Sequence, residues 1–306
     1  MRGVLHGEDD GVSEPIAGIK IVLGTISMVL NLLLVIASAK LFRQNLSHQV
    51  ILTVSLVDFV CSMFSVTMCC LRIALGQEIF FGTWFCNIFG FTSIGLTCTS
   101  ALLIGLLGIE RYLRVCHERG VPPVLTFVIF MILWVALMVT AAGTSLTNGY
   151  LEDPTLVYCL PYGNNWSVAM FVVSKAILGL SLPMLVACYL AVFFFCRRHE
   201  RDFPAHTRSP RTLIFIIAYC ICFIPPMIFI FYESLYGIDY CPRPILILVP
   251  IGLSAVPATN PFLVLVLHHQ MRANLPGFLR SNESYHMHEP GIKLQFNPIS
   301  LQNPLP

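Results

Sequence analysis

The chain has 306 residues, of which 56% are apolar and 11% charged, and its formal net charge is +2. A mean hydropathy of +0.78 excludes an ordinary soluble domain and indicates a polytopic membrane protein. The small net charge carries no nucleic-acid signal, so the positions of the 18 Lys and Arg matter more than their sum.

Residues 1–15 form a short polar segment with Glu8, Asp9, Asp10 and Glu14 ahead of the first apolar run. This reads as an extracellular N-terminus. A cleavable signal peptide needs a basic start and a short apolar centre, whereas here an acidic leader precedes a full-length span. Spans are predicted at 16–41, 50–71, 84–112, 124–146, 167–195, 212–236 and 244–267, each long enough as a helix to cross a hydrocarbon layer of ~30 Å. The predicted fold is an all-α membrane protein, a seven-transmembrane helix bundle over 16–267, followed by a cytoplasmic surface helix and flexible tail over 268–306. Isolated Asp58, Ser100, Lys175 and several prolines interrupt the spans, which helices in a bundle tolerate because neighbours satisfy the exposed backbone groups.

Basic residues near span ends set the orientation. Lys40, Arg43, Arg111, Arg114, Arg119, Arg197 and Arg198 fall, with others, in alternate loops, against Arg2, Lys20, Arg72 and Arg243 on the opposite side. The N-terminus is therefore expected outside and the tail in the cytoplasm. Asn165-Trp166-Ser167 then lies in an outer loop as a glycosylation acceptor. Cys86 and Cys159 both face the oxidising side, where a bridge would pin the longest outer loop over the bundle. Cys241, in the last outer loop, is the competing partner.

Cys86 and Glu110-Arg111-Tyr112 stand at the two ends of the third span, Asn31 in the first, Asp58 in the second and Trp134 in the fourth. Pro183 in the fifth, Tyr219-Cys220-Ile221-Cys222-Phe223-Ile224-Pro225 in the sixth and Asn260-Pro261 in the seventh complete a set whose order resembles the rhodopsin-like G-protein-coupled receptors. The resemblance implies a plasma-membrane receptor that binds an extracellular ligand within the bundle. It implies a heterotrimeric G protein engaged by Arg111, with Glu110 and Tyr112 beside it. It implies a toggle at Tyr219 and Phe223, with Pro225, Pro183, Asn260 and Pro261 as hinges. It also implies a sodium pocket at Asp58, Ser100 and Asn260, which supply the oxygen ligands a hard cation takes. The alternative is a protonated Asp58 in a structural hydrogen-bond network. Either way Asp58 must face the interior, since an unpaired charge at mid-span costs at least ~2.5 kcal/mol.

The departures from the family pattern are specific. The seventh span reads Asn260-Pro261-Phe262-Leu263-Val264, without the family's tyrosine, and Ala191 stands where the fifth span carries another. Tyr189 is not expected to substitute, because two residues turn a helix by about 200°. Phe223 replaces the family's tryptophan, keeping the ring and losing the N–H donor. Pro204-Ala205-His206 stand where relatives carry an acid that restrains the arginine, so Arg111 is expected to rest on Glu110 alone and to allow basal signalling.

For the ligand, Lys175 lies roughly 12 Å inside the fifth span by helical rise, and Ser93 occupies the position where amine receptors carry aspartate. An anionic ligand is the expectation, and a structural Lys175–Glu233 pair is the alternative. The seventh span holds no lysine, and Ser254 takes the position animal opsins use, so retinal attachment is excluded there and no cofactor is expected beyond a sodium ion. Among rival classes, a transporter lacks the inverted repeats, and an intramembrane metalloenzyme would need clustered His and acids, so the chain is not expected to be an enzyme. A receptor-like scaffold that no longer couples to G protein stays open because of the two missing tyrosines.

Overall fold

The computed structural model describes residues 13–39, 46–76, 84–117, 123–152, 159–161, 164–198, 211–236 and 242–267. Among the described residues seven helices run in chain order: α1 (Ser13–Ala39), α2 (Leu46–Leu75), α3 (Trp84–Cys116), α4 (Pro123–Leu146), α5 (Asn165–Arg198), α6 (Arg211–Tyr236) and α7 (Arg243–Leu267). Among the described residues six are long and apolar enough to cross a membrane, and α6 contributes a shorter apolar stretch, Ile217–Tyr232. The predicted surface helix and tail, residues 268–306, and Cys241 lie outside the described residues.

The side chains are sorted as a membrane solvent requires. In α1, Ala17, Lys20, Gly24, Ser27, Asn31, Leu34 and Ser38 are buried at spacings of three and four, while Val22, Val29, Leu32 and Ile36 face out. Small and polar residues thus turn inward, where they allow close approach and hydrogen bonding, and large apolar ones face lipid. The helices close into a ring in which α1 packs on α2 and α7, and α6 on α5 and α7. α3 is buried along most of its length and packs against α2, α4 and α5, which makes it the axis of the bundle. At the α3–α5 contact a Cβ on Gly108 would lie 3.1 Å from Leu185 Cδ1, so the missing side chain sets how closely these helices approach.

One end of the bundle is covered by a short antiparallel hairpin, β1 (Tyr150–Glu152) with β2 (Cys159–Pro161), in the register Tyr150↔Pro161 and Glu152↔Cys159. Three features of the first turns of α3 hold it. Cys86 is bridged to Cys159, as the sequence led us to expect, with Cα atoms 5.7 Å apart. Asn87 accepts from the Tyr150 N–H at 3.2 Å and donates to Asn148 Oδ1 at 2.9 Å. Gly90 leaves room for the Tyr150 ring, which a Cβ would overlap. The chain then enters α5 through Asn164, whose Oδ1 accepts from the Ser167 N–H at 2.8 Å and caps the helix.

Candidate functional site

Beneath the hairpin lies a cavity of about 150 Å³ lined by residues of α1, α2, α3, β2, α5, α6 and α7. Lys175 and Ser93, both singled out from sequence, meet in its wall, and so does Ser254. Lys175 Nζ sits 3.3 Å from the centre of the Phe171 ring, one turn earlier on α5. Leu160 and Pro161 of β2 form the lid, with Tyr150 buried behind it. Burial pushes the Tyr150 phenol well above its ordinary pKa, so it stays neutral, and its hydroxyl has no hydrogen-bond partner among the described residues. Glu233 belongs to α6, but its side chain lies outside the described residues. Asn165 is exposed in the first turn of α5, while Ser167 of the same sequon is buried and donates to the Gly149 carbonyl at 2.9 Å.

The sequence reading missed Lys20. Counted there as a charge at a span end, it is instead 5% exposed, lines the same cavity from α1, and places Nζ 5.8 Å from the centre of the Phe89 ring. The signal was available in the spacing of Ala17, Lys20, Gly24, Ser27 and Asn31, which puts Lys20 on the inward face of α1. No Asp or Glu is among the described residues that line this cavity.

A polar network lies deeper. Asp58 is fully buried, and Asn260 Nδ2 donates to its Oδ2 at 2.6 Å. The Tyr219 hydroxyl donates to Asn260 Oδ1, and the Phe223 ring stacks on Tyr219 with centres 5.8 Å apart and planes within 8°. Asn31 Nδ2 donates to the Pro257 carbonyl at 2.8 Å, tying α1 to α7, and Ser27 and Ser62 hydroxyls bond at 2.6 Å between α1 and α2. Ser100 was expected to complete the set. It lies within hydrogen-bonding range of the Asp58 carboxyl, and among the described residues neither Ser100 Oγ nor Asp58 Oδ1, both buried, makes a well-aligned hydrogen bond. A carboxylate and a hydroxyl oxygen beside an amide are the kind of donor set that a small hard cation takes.

At the far end of α3, Glu110 is buried and ion-paired with Arg114, one turn on. The Tyr112 hydroxyl is 3.1 Å from His117 Nε2. The Arg111 guanidinium lies over the Tyr189 ring, 5.7 Å from its centre, and within hydrogen-bonding range of the Tyr189 hydroxyl. This corrects the expectation that Tyr189 faces elsewhere. The two-residue turn does separate positions 189 and 191, but Ser181, Leu185, Tyr189 and Cys196 form the buried stripe of α5, so 189 is the inward position. Arg111, Tyr189, Tyr219 and Asn260 enclose a small space of about 20 Å³, so the network and the arginine share one compartment. Pro183, Pro225 and Pro261 lie within α5, α6 and α7, where each removes a backbone donor.

The profile described as "7 transmembrane receptor (rhodopsin family)" matches residues 30–263. Mouse G-protein coupled receptor 87 is 26% identical over 143 residues, which cover 42% of this chain and 39% of that protein. The matched segment therefore spans well under half of that relative. The crystal structure of squid rhodopsin aligns over 87% of this chain and 84% of its own with a TM-score of 0.62 and 14% identity, a likeness of fold alone. The disulfide-pinned hairpin, the Asp58–Asn260 contact and the buried end of α3 thus sit in a multi-pass bundle matched along most of its length, and the chain belongs to the rhodopsin family of seven-transmembrane G-protein-coupled receptors.

Proposed function

We propose that the protein is a plasma-membrane receptor whose hairpin-covered end faces outward, which binds a small anionic ligand in the cavity at Lys175, and which activates a heterotrimeric G protein at its Arg111 end. One observation carries the reading. The cavity wall, with two lysines and no described carboxylate, lies directly above the Asp58–Asn260–Tyr219 network, and that network shares a compartment with Arg111. A ligand that shifts α6 or α7 against α3 would act on Arg111 through these contacts, provided it binds the two arrangements unequally.

Asp58, Ser100 and Asn260 would hold a sodium ion in the resting arrangement, where it would supply positive charge beside the buried Asp58 carboxyl and Ser100 hydroxyl. Ser93 offers no counter-charge for an ammonium, and α7 contains no lysine for a retinal Schiff base. The test is a G-protein activation panel in cells challenged with anionic metabolites and lipids. At matched surface expression, Lys175→Gln should lower agonist potency tenfold or more, the ~1.4 kcal/mol of a charge-assisted contact, and Arg111→Ala should abolish basal and stimulated signal. Absence of any G-protein response across the panel would favour a non-coupling scaffold. Normal expression with unchanged potency in Lys175→Gln would refute the anchor, whereas reduced expression in both Lys175→Gln and Glu233→Gln would mark a structural pair.

A further inference from the structure

Arg72, in the last turn of α2, is the one arginine buried among the described residues, at 7% exposed. Its Nη1 has no hydrogen-bond partner among those residues. The phase of the helix gives the direction of the side chain. Asp58, Ser62, Met68, Cys69 and Arg72 form the buried stripe of α2, and Ser62 and Ser65 line the cavity from it. Seven residues bring a helix back to within about 20° of its starting direction, so Arg72 projects from the same side as Ser65, roughly 10 Å farther along the axis. A helical Cα–Cβ bond tilts toward the N-terminus, which for α2 is the direction of the cavity. Arg72 therefore leans over the cavity. Met68, one turn earlier, packs with Phe89, Tyr150 and the two bridged cysteines that pin the hairpin, and Cys69 packs with Ile16 and Ala17 of α1. Arg72 follows both by one turn and stands between these clusters, at the hairpin-covered end.

A guanidinium cannot relieve its burial by losing a proton, as a lysine or histidine can, so the charge of Arg72 has to be met by other groups. The backbone does not need it, since the Arg72 carbonyl already accepts from the Gly76 N–H at 2.9 Å where the helix ends. The partial negative charge of a helix C-terminus favours a cation, but weakly and only within the last turn. A charge removed from water and left unpaired is costly, and one turned into a helix bundle is by default a site for something that enters it. The planar fork of N–H groups matches two oxygens of one carboxylate, sulfate or phosphate. Ile73, the next residue, is exposed on the face that lipid covers, whereas Arg72 turns inward. The matching anion therefore arrives from solution and not as a lipid headgroup.

We propose that Arg72 is an oxyanion-binding residue at the rim of the cavity, where its guanidinium takes the carboxylate, sulfate or phosphate group of a soluble anion through two N–H donors. The site is on α2, apart from the Lys175 anchor on α5, and it rests on the anionic-ligand reading only for the identity of its physiological occupant. A fixed positive charge at the entrance of an enclosed space also raises the local concentration of anions and hence their rate of entry.

The test is thermal unfolding of the purified full-length receptor in detergent, with acetate, benzoate or methylphosphonate replacing chloride at constant sodium. Some anions stabilise proteins merely by exclusion from their surface, so the quantity read is the part of the shift that saturates. At least one probe should raise the wild-type midpoint by ~2–4 °C at about ten times its dissociation constant. Arg72→Gln should abolish that saturable shift. Arg72→Lys keeps the charge without the fork and should weaken binding tenfold or more. Lys175→Gln should leave the shift from acetate or methylphosphonate, which have almost no apolar body, in place. Its loss in both Arg72→Gln and Lys175→Gln would still assign the anion to Arg72, shared with Lys175. A saturable shift that survives Arg72→Gln and disappears in Lys175→Gln overturns the proposal and leaves the Lys175 anchor standing. No saturable shift with any probe overturns the rim site, and the Lys175 anchor is then decided by the activation panel. In nanodiscs, a shift that depends on Arg72 and appears with phosphatidylglycerol but with none of the soluble probes would place a headgroup there and overturn the solution source. Equal destabilisation by Arg72→Gln and by Glu78→Gln or Asp239→Asn, acids outside the described residues, in a wild type that ignores all three probes would mark a structural ion pair instead. Should Arg72→Gln fail to fold, Arg72→Lys decides, and a saturation curve identical to the wild type overturns the proposal.

Discussion

Replacing Tyr189 with Phe tests how the resting receptor restrains Arg111. The substitution keeps the ring under the guanidinium and removes the hydroxyl that Arg111 reaches. A hydrogen bond to a charged group contributes ~1.5–3 kcal/mol, and the cation–ring attraction at a desolvated site up to about 2 kcal/mol. If the hydroxyl contact belongs to the resting arrangement alone, its loss at the low end of that range shifts the balance toward the active arrangement by roughly tenfold. A receptor that spends about 1% of its time active would rise to about 10%. Tyr189→Ala, which also removes the ring, should raise it further. The assay is ligand-independent guanine-nucleotide exchange on a co-expressed G protein, normalised to surface receptor. The double variant Tyr189→Phe with Arg111→Ala serves as the zero. Unchanged or lower basal exchange in Tyr189→Phe, with normal surface expression, would refute the restraint and place the Tyr189–Arg111 contact in the active arrangement or in neither.

Further outcomes follow from the same contacts. Asp58→Asn should remove the response to sodium: exchanging choline for sodium at constant ionic strength should raise the unfolding midpoint of the wild type by ~2–4 °C once sodium reaches about ten times its Kd, and leave the variant unmoved. An equal sodium response in both proteins would assign Asp58 to a purely structural network. Gly90→Ala should destabilise the receptor by ~1–3 kcal/mol, because the new methyl meets the Tyr150 ring. Pairing it with Tyr150→Ala should recover most of that loss, and strict additivity in the cycle would count against the contact. Peptide mapping without reduction should recover Cys86 joined to Cys159. Breaking the bridge, which spans 73 residues, should lower stability by up to about 4 kcal/mol on the chain-entropy account, read as a lower unfolding midpoint for Cys86→Ser with Cys159→Ser.

How much of this could be read from sequence depends on which physical signal each feature leaves. Hydropathy and span length locate the seven helices, because a lipid-facing backbone must satisfy itself within each segment; the predicted span 50–71 falls inside α2 (Leu46–Leu75) and 244–267 almost coincides with α7 (Arg243–Leu267). Charged or bridging residues at fixed positions are legible too, and Asp58 meets Asn260 as expected. Helix phase is harder. In water the apolar stripe marks the inward face, but in lipid both faces are apolar and the hydropathy record is nearly flat around the helix. The phase is carried instead by small and polar residues. In α5 that record runs Ser167, Ser174, Ser181 and on to Tyr189, all buried. Counting from Pro183 to position 191 ignored it and turned Tyr189 away from Arg111. In α1 the same kind of record, Lys20, Gly24, Ser27 and Asn31, puts inside the bundle a lysine that was counted only as a charge near the outer span end. Both misreadings have one cause: position along the helix was taken from sequence while rotation about it was not. Both concern residues that line the two enclosed spaces of the bundle, where an inward polar side chain is costly to hold unless other contacts compensate it.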